Sequence, residues 1–284
     1  MWVALVPAAP FAALSSSSSS WDPLASLRPI GHIDSVWHHK FATPRQGSLT
    51  PSARARLYLD GLDDSIDAAQ SLEGLDSYSH VWLVWLAHLN GHAASNSKVA
   101  APHLRGKRTG LFATRSPYRP NPIGLSLARL DRVERETVHL SGVDLVHGTP
   151  ILDIKPYIPS YDQPDASADG DHEDGSLPRI AAWVDPPPLD VSLGPEAAQW
   201  LASLAPNGER LLPDADALRA CLCECLSADP RPLYRWRRQR QGEDAEYVLS
   251  VDGIEARCRF AEDVQGRCDV TVTQLRLAPT DSDE

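Results

Sequence analysis

Gly124-Leu125-Ser126-Leu127-Ala128-Arg129-Leu130-Asp131-Arg132-Val133 is rich in Leu and reads as a β-strand. Thr137–Val143 and Ile151–Tyr157 follow it as further strand-like runs, and Ile30–Val36, Ser79–Leu89 and Leu111–Thr114 precede it. Leu62–Leu75 reads as loop and a short helix. Residues 28–160 are therefore strand-dominated, not an alternation of strands and long helices, and the fold class is mainly β. A small α+β unit is expected over residues 191–278. Gly194-Pro195 opens a helical run to Leu204, with proline where a missing N–H is harmless. Pro213–Leu226 reads as a second helix. Glu246–Val251, Ile254–Phe260 and Cys268–Leu277 read as strands, the first two joined by an Asp252-Gly253 turn.

The 284 residues are enough to bury a sizeable core, and a chain that is 42% hydrophobic and 23% charged has a globular composition. A net charge of −11 argues at first against a nucleic-acid partner, but the charge is uneven. Residues 1–160 carry 15 Lys and Arg against 13 Asp and Glu, whereas residues 161–284 carry 12 against 25. Lys98–Arg119 holds six bases and no acid, and Tyr161–Asp174 holds six acids and no base. Residues 161–190 are expected to be an acidic linker or insertion, and 279–284 an acidic tail.

All five Cys lie after residue 220, an odd and clustered set that makes a poor disulfide framework and points to a reducing compartment. The Cys221-x-Cys223-x-Cys225 spacing matches no common zinc pattern, so these are expected to be core thiols, and no metal site is expected. Residues 1–27 read as a disordered leader. The segment lacks the basic n-region of a secretory signal, and its Ser15–Ser20 run leaves an organellar address open. No transmembrane segment is expected, and the compartment is read as intracellular, with the cytoplasm first.

Several chemistries lack their carriers. There is no G-x-G-x-x-G loop, no Walker A loop, no H-E-x-x-H and no G-x-S-x-G. What remains is a set of unusual loops. Thr43-Pro44-Arg45-Gln46-Gly47 combines a fixed φ, a close-approach glycine and side-chain donors, and also reads as a plain turn. Thr114–Gly124 is stiffened by Pro117, Pro120 and Pro122 and carries Arg115, Tyr118, Arg119 and Asn121, the arrangement of a loop that holds donors still for a ligand. Asp153 and Lys155 stand two apart in an apolar run, so they share a face either as site residues or as a simple ion pair. His80 and His88 are expected on one strand and one face, His80 satisfied structurally and His88 at the end where a ligand could meet it.

These loops carry a resemblance. Pro44-Arg45-Gln46, Gly74-Leu75 with Tyr78-Ser79-His80-Val81-Trp82, Gly110-Leu111-Phe112-Ala113-Thr114-Arg115-Ser116, Arg119-Pro120-Asn121-Pro122-Ile123-Gly124 and Gly148–Tyr157 resemble the TrmO (TsaA-like) tRNA methyltransferase family, in order and spacing. The resemblance spans about Pro29 to Tyr161, and Asp229-Pro230-Arg231-Pro232 with Tyr234 resembles the small C-terminal domain of many members. It implies a single-sheeted β-barrel of non-Rossmann type, a homodimer, and S-adenosyl-L-methionine as methyl donor. The implied substrate is tRNA bearing N6-threonylcarbamoyladenosine 3′ of the anticodon, engaged through the anticodon arm and methylated on N6.

By the same resemblance, Pro44, Arg45, Gln46, His88, Leu89, Arg115 and Leu125 would hold the cofactor, with backbone contacts from Val146, His147, Gly148 and Thr149. His147 stands where the family usually has Asp. N6 is conjugated to a carbonyl and is a poor nucleophile until it loses its proton, so a base would help. His88, His147 and Asp153 are the candidates. Asn121 could read the base edge, and Arg119 or Arg231 could clamp the threonyl carboxylate. Arg105, Lys107, Arg108, Arg119, Arg231 and Tyr234 are the expected RNA contacts. Two alternatives stay open: a cofactor-binding regulator or scaffold without catalysis, and a methyltransferase for a small molecule or another RNA.

Overall fold

The computed structural model describes residues 27–279 apart from 41–42, 91–95, 101–106, 164–180, 182–183, 185–187, 233, 236–237, 239–245 and 263–267. The expected leader, most of the acidic insertion and nearly all of the tail lie outside the described residues. The elements are β1 (Gly31–Ser35), β2 (Arg54–Tyr58), α1 (Ala68–Ser71), β3 (His80–Leu86), β4 (Lys98–Val99), β5 (Thr109–Gly110), β6 (Ile123–Glu134), β7 (Thr137–Ser141), β8 (Pro150–Pro156) and α2 (Pro159–Asp162). They continue with β9 (Asp190–Leu193), α3 (Pro195–Ala202), α4 (Ala215–Ser227), β10 (Tyr247–Val251), β11 (Ile254–Glu262) and β12 (Cys268–Leu277).

Six strands close a barrel in the order β1-β2-β7-β6-β3-β8, and every neighbouring pair is antiparallel. Strand side chains alternate between faces, so closure sends every second residue inward. Ile33, Ala55, Leu57, Val81, Leu83, Ala128, Leu130, Val138, Leu140 and Ile151 fill the interior. Closure also removes the sheet edges that would otherwise invite pairing. The mainly β, single-sheeted barrel is as expected.

The second unit is a four-stranded sheet, β10-β11-β12-β9, with β9 parallel to β12 and the helices α3 and α4 packed on it. Asp252 and Gly253 take φ of 49° and 73°, the paired left-handed geometry of a tight hairpin turn. Asp214 caps α4 through Ala217 N–H at 2.8 Å, and the helix buries Leu218, Cys221, Leu222, Cys225 and Leu226 along one face. None of the five cysteines is in a disulfide, and burial pushes the Cys225 and Cys258 thiols up to about 12, where they stay protonated and inert.

The two units share a core. Val36, Trp37 and Ala53, at the barrel end beyond β1 and before β2, belong to the apolar cluster built by α3, α4 and β10–β12. The fully buried Trp37 donates its indole N–H to Val143 O at 2.8 Å. Asp252 N–H donates to Val36 O at 2.8 Å, and Glu224 accepts from the N–H and hydroxyl of Ser52 at 2.8 and 2.7 Å. The C-terminal sheet therefore sits against the barrel end that carries the loop after β1.

Four details differ from expectation. Leu111–Ala113 is a 3-10 turn, not a strand, because only Leu111 is buried and Thr114 Oγ1 donates back to Leu111 O at 2.8 Å. The long run from Ser79 stops at Leu86, and His88–Asn90 is a 3-10 turn, so His80 and His88 do not share a strand face. His80 is only half-buried, although it does find a partner in Ser79 Oγ at 2.9 Å. Strands β2 and β9 and the short β4–β5 ribbon were not anticipated. Strand β2 carries two arginines, and β9 starts at the edge of the acidic stretch, where only its parallel pairing with β12 defines it.

Candidate functional site

The segment from Trp37 to Gly47, leading out of β1, meets four other parts of the chain. The His38 ring stacks on His147 with centroids 5.0 Å apart. Lys40 Nζ donates to Leu89 O at 3.4 Å. Arg45 donates to Arg231 O at 3.2 Å. Gln46 Oε1 accepts a hydrogen bond from the Arg115 guanidinium. The sequence-selected Pro44, Arg45, Gln46, Leu89, Arg115 and His147 are thus connected through one loop. Pro44 is buried beneath it, and Leu89 is 45% exposed at its rim.

Gly47 is dictated by close approach, since a Cβ there would lie 1.9 Å from Gly142 O. That contact brings the Gly47 N–H to Asp144, a residue the sequence reading passed over. Asp144 Oδ1 accepts from Ser126 Oγ at 2.6 Å, and Ser126 Oγ accepts from Trp85 Nε1 at 3.0 Å. The Trp85 ring in turn fills the space over Gly124, where a Cβ would come within 2.0 Å of it. Burial pushes the Asp144 carboxyl up, opposed by Ser126, by the charge of Arg115 and by the Gly47 N–H. Arg115 therefore sits between a partly buried carboxyl and the Gln46 amide. The available signal was an acid inside the apolar run Val143-Asp144-Leu145-Val146, which is costly unless partnered.

The raised carboxyl has a defined consequence. The folded form binds its proton more tightly than the unfolded one, so this group costs stability as pH rises above the usual carboxylate range. Asp144→Asn should hold or raise the melting temperature near neutral pH and flatten the decline that sets in as pH rises above the usual carboxylate range. It should also loosen Arg115 and weaken ligand binding there. Thermal melts across that range and calorimetric titration check both halves, and a lower neutral melting temperature would contradict the reading.

The loop from Thr114 to Gly124 is braced internally. Arg119 donates to Thr114 O at 2.7 Å and Ser116 O at 3.3 Å, and Asn90 Nδ2 donates to Pro117 O at 2.8 Å. Asn121 is exposed on this loop. His88 lies exposed in the turn beside it, with partial burial lowering its pKa, so its ring is neutral near pH 7.

Other expected site residues lie elsewhere or are already engaged. Leu125 is opposite Val84, which is opposite Asp153, so both face the outside of the barrel while Ser126 and Asp144 meet on the inner side. Asp153 pairs with Lys155 at 2.7 Å, the ion-pair alternative. The N–H groups of His147, Gly148 and Thr149 donate to Trp37 O, Ile33 O and Val146 O at 2.7, 2.8 and 3.1 Å. Backbone donation from this turn to a ligand is thereby displaced by bonds that hold it across the barrel end. His147 Nδ1 lies 3.1 Å from Asp34.

Arg231 requires the clearest correction as an RNA contact or carboxylate clamp. Its side chain is 4% exposed, its guanidinium binds both Asp229 oxygens at 2.7 and 2.8 Å, and it lies 3.8 Å from the Phe260 ring centroid. Tyr234 is 51% exposed, and Lys107 and Arg108 are exposed beside β5. Arg105 lies outside the described residues. Among the described residues, no three His, Cys, Asp or Glu side chains converge in the manner of a metal site.

Comparison with known proteins places this geometry. The family model for the tRNA-methyltransferase O N-terminal domain matches residues 32–163. A rat tRNA (adenine(37)-N6)-methyltransferase is 50% identical over 138 residues, covering 48% of this chain and 31% of that protein. The chain thus spans about a third of the mammalian relatives it matches. The Escherichia coli protein of the same name is 37% identical over 228 residues, covering 78% of this chain and 86% of that one. The crystal structure of TrmO from Pseudomonas aeruginosa superposes with a TM-score of 0.62 at 32% identity, covering 88% of this chain and 97% of that chain.

Proposed function

The chain belongs to the tRNA-methyltransferase O family, and from that premise we propose that it is an S-adenosylmethionine-dependent methyltransferase acting on N6 of adenine 37 in tRNA. The substrate in this reading is adenine already carrying the N6-threonylcarbamoyl group, presented by the anticodon arm. The observation that carries the proposal is the pair made by Arg115 with Gln46 of the loop after β1, beside the partly buried Asp144.

The residues present fit the cofactor's chemistry. S-adenosylmethionine carries a carboxylate, an ammonium, ribose hydroxyls and an apolar-faced adenine, and it supplies an activated methyl when bound. Arg115 offers a planar donor fork for the carboxylate or hydroxyls, Gln46 a reorientable amide, and the exposed Leu89 an apolar rim. Asp144 fixes Arg115 by charge from behind, so the fork is oriented before ligand arrives. The neutral His88 imidazole is available to take the N6 proton, and Asn121 on the braced loop can meet a base edge. Holding nucleophile and methyl in line at short range supplies most of the acceleration such a displacement needs.

A homodimer is part of the reading. Ile123 and Leu125 on the outer barrel face are 44% and 54% exposed, which suits cover by a second copy. No helix among the described residues is long and apolar enough to cross a membrane. A tRNA substrate places the reaction inside the cell, in the cytoplasm on this reading. Nucleoside mass spectrometry of tRNA from cells lacking the protein tests the proposal: N6-methylated threonylcarbamoyladenosine should disappear while its unmethylated parent accumulates. An unchanged methylated nucleoside would refute it and favour a cofactor-binding role without catalysis.

A further inference from the structure

Phe112 is 79% exposed, although the residue before it, Leu111, is buried. Exposing a ring of this size forgoes the burial free energy an aromatic side chain can supply, so folding gives no reason for its position. The turn that carries it is nevertheless held firmly. Leu111 N–H donates to Ser97 O at 2.9 Å, and the adjoining β4–β5 ribbon pairs Lys98 with Gly110 and Val99 with Thr109.

Arg119 lies 5.5 Å from the Phe112 ring centroid, and its guanidinium is tied to Thr114 O and Ser116 O. The cation beside the ring is therefore fixed rather than waving in solvent. Lys98, Lys107 and Arg108 are exposed along the same ribbon, in a stretch of sequence without an acid. A rigid ring flanked by fixed and flexible cations is the chemistry that stacks an unpaired base and follows its phosphates.

We propose that Phe112 and Arg119 form a stacking platform for an unpaired RNA base, with Lys98, Lys107 and Arg108 contacting the adjoining phosphates. The proposal rests on the tRNA reading above and adds to it the surface that holds the loop.

The test uses the full chain and a fluorescently labelled anticodon-arm RNA, with binding followed by anisotropy at several salt concentrations. Phe112→Ala should weaken binding about 5- to 150-fold, the loss of one base stack, while Phe112→Trp stays within a few-fold of the parent. Lys107→Ala with Arg108→Ala should make the log–log salt slope shallower by about 1.4, two phosphates' worth on a single strand. Cofactor affinity should not change in either variant. Unchanged RNA affinity in Phe112→Ala overturns the platform. So does an RNA loss that accompanies dissociation of a dimer in sedimentation, which would assign the ring to a self-contact. A parent protein that binds cofactor but no RNA at any salt would instead sink the tRNA reading itself.

Discussion

Arg231→Ala should cost about 3–5 kcal/mol of stability and loosen the proposed cofactor site through Arg45. The guanidinium is buried, shared between both oxygens of Asp229, and packed on Phe260 and Cys268 Sγ at 3.5 Å. Truncation strands a partly buried carboxylate and opens a gap against the β11 ring, and both costs add. The effect reaches the site because the carbonyl of Arg231 accepts from Arg45, next to Gln46 in the loop after β1. Asp229 also supports Arg45 by charge, against the burial that lowers its pKa. Denaturant titration measures the stability loss, and cofactor titration under folding conditions measures the loosened site. Removing both partners, as Asp229→Asn with Arg231→Met, should cost less than Arg231→Ala alone, because no carboxylate is stranded, although Arg45 then loses the charge of Asp229. A loss under about 1 kcal/mol in Arg231→Ala would show that the buried pair does not organise this end of the C-terminal sheet.

Arg115→Ala should weaken S-adenosylmethionine binding by about 10- to 150-fold, the 1.5–3 kcal/mol carried by hydrogen bonds to a charged group. Arg115 is exposed, so the fold should barely register its loss. Asp144, deprived of its nearest cation, should shift further upward. Arg115→Lys should fall between, keeping the charge and losing the planar fork. Isothermal titration separates the three proteins, and parental affinity in the alanine variant would remove Arg115 from the site.

The strand-rich character was legible from the runs of Val, Ile and Leu, and the barrel through the family resemblance that the chemically unusual loops carry. Gly47 and Gly124 show why those loops are so specific: one admits the Gly142 carbonyl and the other the Trp85 ring. Asp144 and Ser126 were not legible, because their meeting depends on the β6–β7 register, which pairs Arg129 with Ser141 and so sets Ser126 near Asp144. Arg231 was misread for a related reason. An arginine beside Tyr234 and further arginines looks like a solvated basic patch, and nothing local announces that Asp229, two residues back, and Phe260, on β11, will enclose it. The Val146–Thr149 turn likewise offers amides on paper, and long-range contacts to Trp37 and Ile33 take them up.

On the tRNA reading the net charge of −11 is a poor guide to partners, because the acid-free Lys98–Arg119 stretch gathers six bases in one part of the sequence, with Lys98, Lys107 and Arg108 exposed at the β4–β5 ribbon. A locally cationic surface on an acidic protein should give RNA binding that weakens steeply with salt, with selectivity left to the modified base. The most direct test of the whole account incubates the purified chain with methyl-labelled S-adenosylmethionine and tRNA carrying threonylcarbamoyladenosine, then digests the tRNA to nucleosides. The account predicts label on N6 of that single modified adenosine, and none in tRNA lacking the threonylcarbamoyl group. Label in both tRNAs alike, or in neither while the chain still binds the cofactor, would contradict it.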